Sequence, residues 1–184
     1  MIRKALGKVL RFKRTEDGGL TIEFVIWFPV YMFFILGVIE YSLVTIQQAM
    51  LDRSMDLVVR NIRLGIGLED TQHDTIKDAI CNEMVIMQDC SKNLQLEMIV
   101  QDPYGGVNLP VEADCADRAE EAKPVREFSS GGANALMILR ACARVDPLFP
   151  TTALGRGGTD MSRALSDDDG LITLTSTTTF VQEP

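Results

Sequence analysis

Few side chains in this sequence are of the types that perform catalysis or bind metals. The 184 residues include one His, at position 73, and four Cys. A single His excludes a His-rich metal site, and any Ser-His-Asp triad would have to use His73. We interpret His73 as a solvated residue in the first turn of a helix. The four cysteines show neither zinc-site spacing nor a Cys-x-x-Cys redox pair.

Two further segments resemble ligand-binding loops only superficially. The run Asp167-Asp168-Asp169-Gly170 lacks the alternating ligands and the downstream Glu of a calcium loop, so we interpret it as a solvated acidic turn. The Gly-rich run at 155–158 does not follow a strand and open a helix, as a phosphate loop does. We therefore predict a protein that is not an enzyme and has no catalytic residue, metal or cofactor.

One long apolar run dominates the sequence instead. The sixteen residues from Phe24 to Ile39 carry no charge, and the apolar character continues to Ile46. The stretch Ile22–Ile46 is long enough to cross a bilayer, which takes about 20 residues of helix. Trp27 and Tyr41 near its ends suit the membrane interface, and Pro29 is tolerated in such a helix. We predict a transmembrane helix over 19–46.

The charge distribution orients this helix. Residues 1–14 contain six basic residues and no acid, although the whole chain has a net charge of −8. The positive-inside rule then places the N-terminus in the cytoplasm and the rest outside. Such an acidic body disfavours nucleic-acid binding. The alternatives are a buried core helix, which the basic flank argues against, and a cleaved signal peptide, for which Gly37–Ser42 is a poor cleavage site.

Two features near the start of the run do not fit a plain anchor. Glu23 lies at the cytoplasmic mouth of the apolar run, where an unpaired carboxylate is unfavourable and therefore a functional candidate. Gly18-Gly19 forms a small-residue break before it, typical of a processing site. Cleavage after Gly18 would make Glu23 the fifth residue, with a new α-amine as an available cation. The simpler interpretation is a flexible joint followed by a helix-start acid.

The string Gly18-Gly19-Leu20-Thr21-Ile22-Glu23-Phe24 resembles the processing site of type IV pilins and pseudopilins. It is most similar to the TadE-like family of the tight-adherence (Tad, Flp-type) pilus. The segment Gly37–Tyr41 resembles that family's membrane segment, with a small residue and a second Glu at Glu40, and the ending Phe180–Pro184 is a weaker match. The resemblance implies cleavage after Gly18 by a prepilin peptidase, with Phe24 at a position where the family often has Tyr. It also implies other pilins or pseudopilins, the Tad inner-membrane assembly machinery and the lipid bilayer as partners.

Beyond the membrane the pattern predicts an α+β domain. Apolar residues at helical spacing extend the first helix to about residue 64, before Gly65 and Gly67, and predict a second helix over about Thr71–Met87. Alternating segments predict three strands, near 94–101, 137–145 and 171–181. We interpret 102–134 and 147–170 as surface loops. The predicted fold is therefore a long helix followed by a small antiparallel sheet packed on helix.

The cysteines all follow the membrane segment. Cys81, Cys90, Cys115 and Cys142 are an even set in an extracytoplasmic domain, which favours two disulfides over free buried thiols. Three pairings are possible, and we favour Cys81–Cys90 with Cys115–Cys142. The first pair requires the second helix to end before Cys90, because nine helical steps span about 13.5 Å and bridged Cα atoms lie about 5.5–6 Å apart.

These observations predict four segments: a basic cytoplasmic leader (1–18), the transmembrane helix (19–46), its extension (47–68) and a periplasmic α+β domain (69–184). The predicted function is that of a minor pseudopilin-like component in Tad pilus assembly, held in the bacterial inner membrane and able to enter the pilus. The alternative is an uncleaved, single-span protein whose periplasmic domain binds a ligand or an envelope partner.

Overall fold

The computed structural model describes residues 19–64, 72–106, 113–116, 128–129, 131–149 and 170–183. The chain divides into two compact units, Met1–Ile39 and Glu40–Pro184. The predicted Asp-rich turn at 167–169 and the Gly-rich run at 155–158 lie outside the described residues.

Helix α1 runs from Gly19 to Leu64 and continues through Pro29. In the N-terminal unit its large apolar side chains are exposed, including Phe24, Trp27 and Phe34. Helical hydrogen bonds satisfy the backbone of such a segment internally, which is what a lipid environment requires. The long first helix predicted from the sequence is confirmed.

Within the C-terminal unit, the second half of α1 supplies one wall of the core. Its buried side chains recur at spacings of three and four, which puts them on one helical face. They are Leu51, Met55, Val58, Val59 and Ile62. Helix α2 (His73–Glu83) adds Ile76 and Ile80.

Helix α2 is shorter than the predicted 71–87. It ends at Glu83, and a turn follows before the short helix α3 (Cys90–Asn93). Met84 and Met87 are nevertheless buried, because the turn folds their side chains back onto the core. Asp89 adopts a positive φ of 49° where the chain reverses. The helix therefore ends before Cys90, as the disulfide requires.

The sheet is antiparallel with the order β1-β2-β3. Strand β1 spans Leu94–Gln101, β2 spans Leu136–Val145 and β3 spans Ile172–Val181. In the register, Leu96 pairs with Ala141, which in turn pairs with Ser176. One face of the sheet packs on the helices through Leu94, Leu96, Met137, Leu139, Leu174 and Phe180. The predicted α+β class with a three-stranded antiparallel sheet is confirmed.

The opposite face of the sheet is only partly open to solvent. On β1 and β2 it buries Gln95, Glu97 and Arg140, whereas on β3 it leaves Thr175 and Thr177 exposed. The segment 113–116, from the predicted surface loop at 102–134, accounts for part of this difference, because Asp114 and Ala116 are buried. The prediction of a surface loop is therefore wrong for 113–116, where Cys115 is tied to Cys142 in the sheet. Phe128, from the same predicted loop, pairs with Met98 of β1 and packs against the core on the helix side of the sheet.

Candidate functional site

The predicted processing site lies at the beginning of α1. Gly18 is outside the described residues, and Gly19 is the first residue of the helix. A Cβ atom added at Gly19 would meet nothing within 4 Å. Glu23 lies one turn further along α1 and is exposed. Its carboxylate is therefore accessible for pairing with another molecule.

The apolar part of α1 is rich in aromatic side chains. Phe24 and Phe28, four residues apart on one face, have ring centroids 5.0 Å apart. Trp27 is 64% exposed. Among the described residues, α1 is the one helix long and apolar enough to cross a membrane, and its most apolar stretch has no buried residue. A helix with this surface fits a lipid environment.

Near the end of the apolar run, Gly37 and Tyr41 leave room for neighbours. A Cβ atom at Gly37 would meet nothing within 4 Å, so packing within this chain does not require a glycine there. Tyr41 is 63% exposed, and its carbonyl oxygen accepts a hydrogen bond from the Thr45 hydroxyl at 2.8 Å.

Glu40 differs from the other predicted site residues because it is only 1% exposed. It begins the C-terminal unit, and its Oε1 accepts a hydrogen bond from the backbone N–H of Phe149 at 3.2 Å. Phe149 follows strand β2 closely in sequence. Glu40 therefore ties the start of the C-terminal unit to the segment that leaves the central strand.

A cleft of about 350 Å³ adjoins Glu40. Leu43, Ile86 and Leu148 contribute apolar side chains to it, and Arg144 and Asp146 contribute charged ones. Sequence reasoning missed this cleft because its walls come from three separate segments. One signal was available in the charge-free run Met84–Gln88, which interrupts a polar stretch.

The prediction that His73 is solvated is wrong. Its side chain is 16% exposed, and its ring packs edge-on against Phe128 with centroids 5.2 Å apart. Nδ1 lies 2.9 Å from a carboxylate oxygen of Asp74. The hydrogen bond from His73, followed by the charge of that ring, lowers the pKa of the exposed Asp74 carboxyl. Burial lowers the pKa of Lys77, against the opposing effect of Asp74.

Sequence reasoning also missed a buried ion pair on the sheet. Glu97 and Arg140 are cross-strand neighbours, and Arg140 Nε donates to Glu97 Oε2 at 2.6 Å. A second contact joins Arg140 Nη2 to the same oxygen, and both side chains are 7% exposed. Alternation places them only on the faces of their strands that alternate with the apolar residues. Their opposite charges at directly paired positions were the available signal.

The structure forms two disulfides, Cys81–Cys90 and Cys115–Cys142, with Cα atoms 5.6 Å and 5.0 Å apart. These are the pairings favoured from the sequence. The first closes the turn between α2 and α3, and the second attaches the 113–116 segment to β2. All four cysteines of the chain are thereby used.

The exposed apolar helix and the disulfide-bonded α+β unit together fit the class of single-pass membrane proteins. Residues 18–58 match the family model described as TadE-like protein, which confirms the resemblance drawn from the sequence. The match begins at Gly18 and includes Glu23, the apolar run and Glu40. No curated protein and no protein of known structure matches the chain at a significant level.

Proposed function

We propose that this protein is a minor pseudopilin-like component acting in the assembly of a Tad-type pilus. The main support for the proposal is the residue at which the family match begins. The TadE-like match starts at Gly18, the residue after which the sequence predicts cleavage. The same match covers an exposed carboxylate, Glu23, and an exposed apolar helix. A structural, non-enzymatic role is consistent with that family.

The first step of the proposed mechanism is processing in the inner membrane. The basic leader holds the N-terminus in the cytoplasm, and a prepilin peptidase removes residues 1–18. Glu23 is then the fifth residue, and the α-amine of Gly19 is a new cation. Pairing of these charges in a low-dielectric environment is strong.

In the second step, the helices of neighbouring subunits are aligned at a defined stagger. Glu23 is exposed on α1, so a neighbour's α-amine can approach it. Gly19 and Glu23 are separated by four helical residues, or about 6 Å along the axis. An intermolecular pair between them would therefore stagger adjacent helices by about that distance. The apolar side chains of Phe24–Ile39 then pack against neighbouring helices.

The C-terminal unit supports a minor rather than a major role. It is a folded domain with its own core, whereas a bare Flp-type major pilin is nearly all helix. We place this domain in the periplasm, at the tip or the base of the pilus. Its partners are then other pilins or pseudopilins and the inner-membrane assembly machinery.

The test is the N-terminus of the protein extracted from membranes of cells that contain the Tad machinery. Intact mass and N-terminal sequencing are expected to give a chain that starts at Gly19. The variant Gly18→Trp is expected to retain the leader and start at Met1. The variant Gly37→Trp is the matched control, because that glycine lies in the same helix with open space around it, and it should be processed normally.

A chain that starts at Met1 in all three proteins would contradict the processing mechanism. The uncleaved, membrane-anchored interaction domain would then be the better interpretation. Without cleavage, the α-amine of Gly19 would not form, and Glu23 would lose its proposed binding partner.

A further inference from the structure

The charge-free part of α1 is shorter than the thickness of a hydrocarbon core. The charge-free residues Phe24–Ile39 number sixteen, which is about 24 Å of helix at 1.5 Å per residue. A hydrocarbon core is about 30 Å thick and takes about 20 residues. A helix that enters at Phe24 therefore reaches the opposite boundary near Leu43. Glu40 then lies at the level of the acyl chains.

A carboxylate at this depth needs shelter from lipid. An acidic side chain in a membrane helix is most unfavourable at the helix centre and less so near a boundary. In the structure, other parts of the protein cover the Glu40 carboxylate. Glu40 is 1% exposed and accepts the Phe149 N–H. Glu40 and Phe149 both belong to the C-terminal unit, so this bond is made within that unit.

Part of the surface beside Glu40 is apolar and exposed, although Arg144 and Asp146 line the same cleft. Ile86 and Leu148 line the same cleft as Glu40 and Leu43. Ile86 is 48% exposed, Leu148 is 57% exposed, and the adjacent Val85 is 84% exposed. We call Val85, Ile86 and Leu148 the apolar rim. Nothing charged lies between Glu83 and Asp89, so the turn that carries Val85 and Ile86 can enter an apolar phase.

The apolar rim is also held in place. The Cys81–Cys90 disulfide closes the turn that carries Val85 and Ile86, with 5.6 Å between Cα atoms. Leu148 immediately precedes the residue that bonds Glu40. Interfacial insertion of preorganised side chains loses less conformational entropy than insertion of a mobile loop. The geometry is that of a fixed apolar edge beside Glu40.

We propose that the apolar rim inserts into the outer headgroup–acyl boundary of the membrane that α1 spans. The C-terminal unit then has a second contact with lipid, independent of the helix. This contact holds the domain against the membrane before assembly and shields Glu40 from lipid. The inference rests on the proposed membrane anchorage of α1 and does not depend on processing at Gly18.

The test places an environment-sensitive fluorophore on the apolar rim of the full-length protein. All four native cysteines are in disulfides, so Ile86→Cys introduces the one free thiol for labelling with NBD. The protein is reconstituted into phosphatidylethanolamine–phosphatidylglycerol vesicles. We expect a blue-shifted emission, and quenching by lipids that carry a spin label near the headgroup end of the acyl chain.

Tyr104→Cys is the matched control position. Tyr104 is 97% exposed and follows β1 at the end opposite Asn93, which lines the cleft. The eight residues of β1 separate the two ends by roughly 26 Å. The NBD group at position 104 should emit as in water and escape quenching by the lipid label.

The single tryptophan of the chain, Trp27, tests anchorage in the same sample. Quenching of Trp27 by brominated lipids reports insertion of α1. Quenched Trp27 with a water-exposed probe at position 86 overturns the inference and leaves anchorage intact. Unquenched Trp27 overturns both. A probe at 86 that is shielded only after another pilin is added also overturns the inference, because the rim would then bind protein rather than lipid.

Discussion

At the scale of single residues, the buried pair of Glu97 and Arg140 has the largest energetic consequence. The two side chains are directly opposite in the β1–β2 register and 7% exposed. Each charge depends on the other because neither has access to bulk water. A shift of β1 by one residue would turn Glu97 toward the helices, where the sheet face is apolar. The pair therefore disfavours that alternative register.

Removing one member of this pair should be strongly destabilising. We expect Glu97→Ala to lower the free energy of unfolding by about 3–5 kcal/mol, because it removes the carboxylate that both Nε and Nη2 of the buried Arg140 guanidinium contact. The double variant Glu97→Leu/Arg140→Met should recover most of that loss, since it removes both charges. Guanidinium unfolding of the full chain in detergent measures both values.

The control for this experiment is the exposed pair of Arg63 and Glu183, whose atoms lie 3.4 Å apart with about half of each side chain exposed. Glu183→Ala should change stability by about 0–1 kcal/mol. Equal effects from the two single variants would show that the Glu97–Arg140 pair is screened as a surface pair is.

At the scale of elements, the two disulfides constrain segments of different length. Cys81–Cys90 spans nine residues, and Cys115–Cys142 spans 27. In the chain-entropy treatment the first stabilises by about 2.5 kcal/mol and the second by about 3.5 kcal/mol. We expect Cys115→Ala/Cys142→Ala to be the more destabilising double variant. Unfolding midpoints under non-reducing conditions give the order, and the reverse order would contradict the prediction.

The elements were largely predictable because each follows a simple period. The apolar spacing of α1 and the alternation along β1, β2 and β3 follow from burying one face of each element. The burial of Glu97 and Arg140 was not predictable from the same pattern. It depends on coverage of the second face of the sheet, where the disulfide at Cys142 attaches the 113–116 segment. Periodicity describes one element at a time, so it cannot show that another segment covers the second face of the sheet.

The end of α2 and the environment of His73 were missed for a related reason. Met84 and Met87 fit the helical stripe that begins at Ile76, yet they are buried from a turn. An apolar pattern indicates that a side chain is buried, but it does not show whether that residue lies in a helix or in a turn. His73 packs against Phe128, 55 positions away in the chain, and no local pattern contains that contact. The predicted roles of Gly18 and Glu23 remain predictions.

At the scale of the whole molecule, the two units differ in what stabilises them. Among the described residues, the hydrophobic core lies in the Glu40–Pro184 unit, beginning at Leu51. The described part of the other unit is helix with exposed apolar side chains. Folding of the C-terminal unit should therefore be independent of residues 1–39.

We expect a protein of residues 40–184, exported to an oxidising compartment, to fold with both disulfides. Its unfolding midpoint should match that of the full chain, because every core residue that the structure describes is retained. Circular dichroism and non-reducing peptide mapping measure these properties. A protein of residues 65–184 is the control. It lacks Leu51, Met55 and Ile62 and should not fold. Failure of both proteins would mean that the first unit contributes to the core.

Contacts within the C-terminal unit join residues that are far apart in the sequence and are therefore synthesised at different times. Gln48 of α1 donates to the carbonyl oxygen of Thr175 in β3, across 127 positions, and Arg63 bonds Glu183 across 120. Contacts of such high sequence separation close late and slow folding. The core face of α1 cannot gain its β3 partner until residues beyond 170 have been synthesised. The nine-residue disulfide loop can close much earlier. The order of synthesis thus makes oxidation of Cys81 and Cys90 possible before the sheet exists, at a stage when Leu51, Met55 and Ile62 are not yet covered by it.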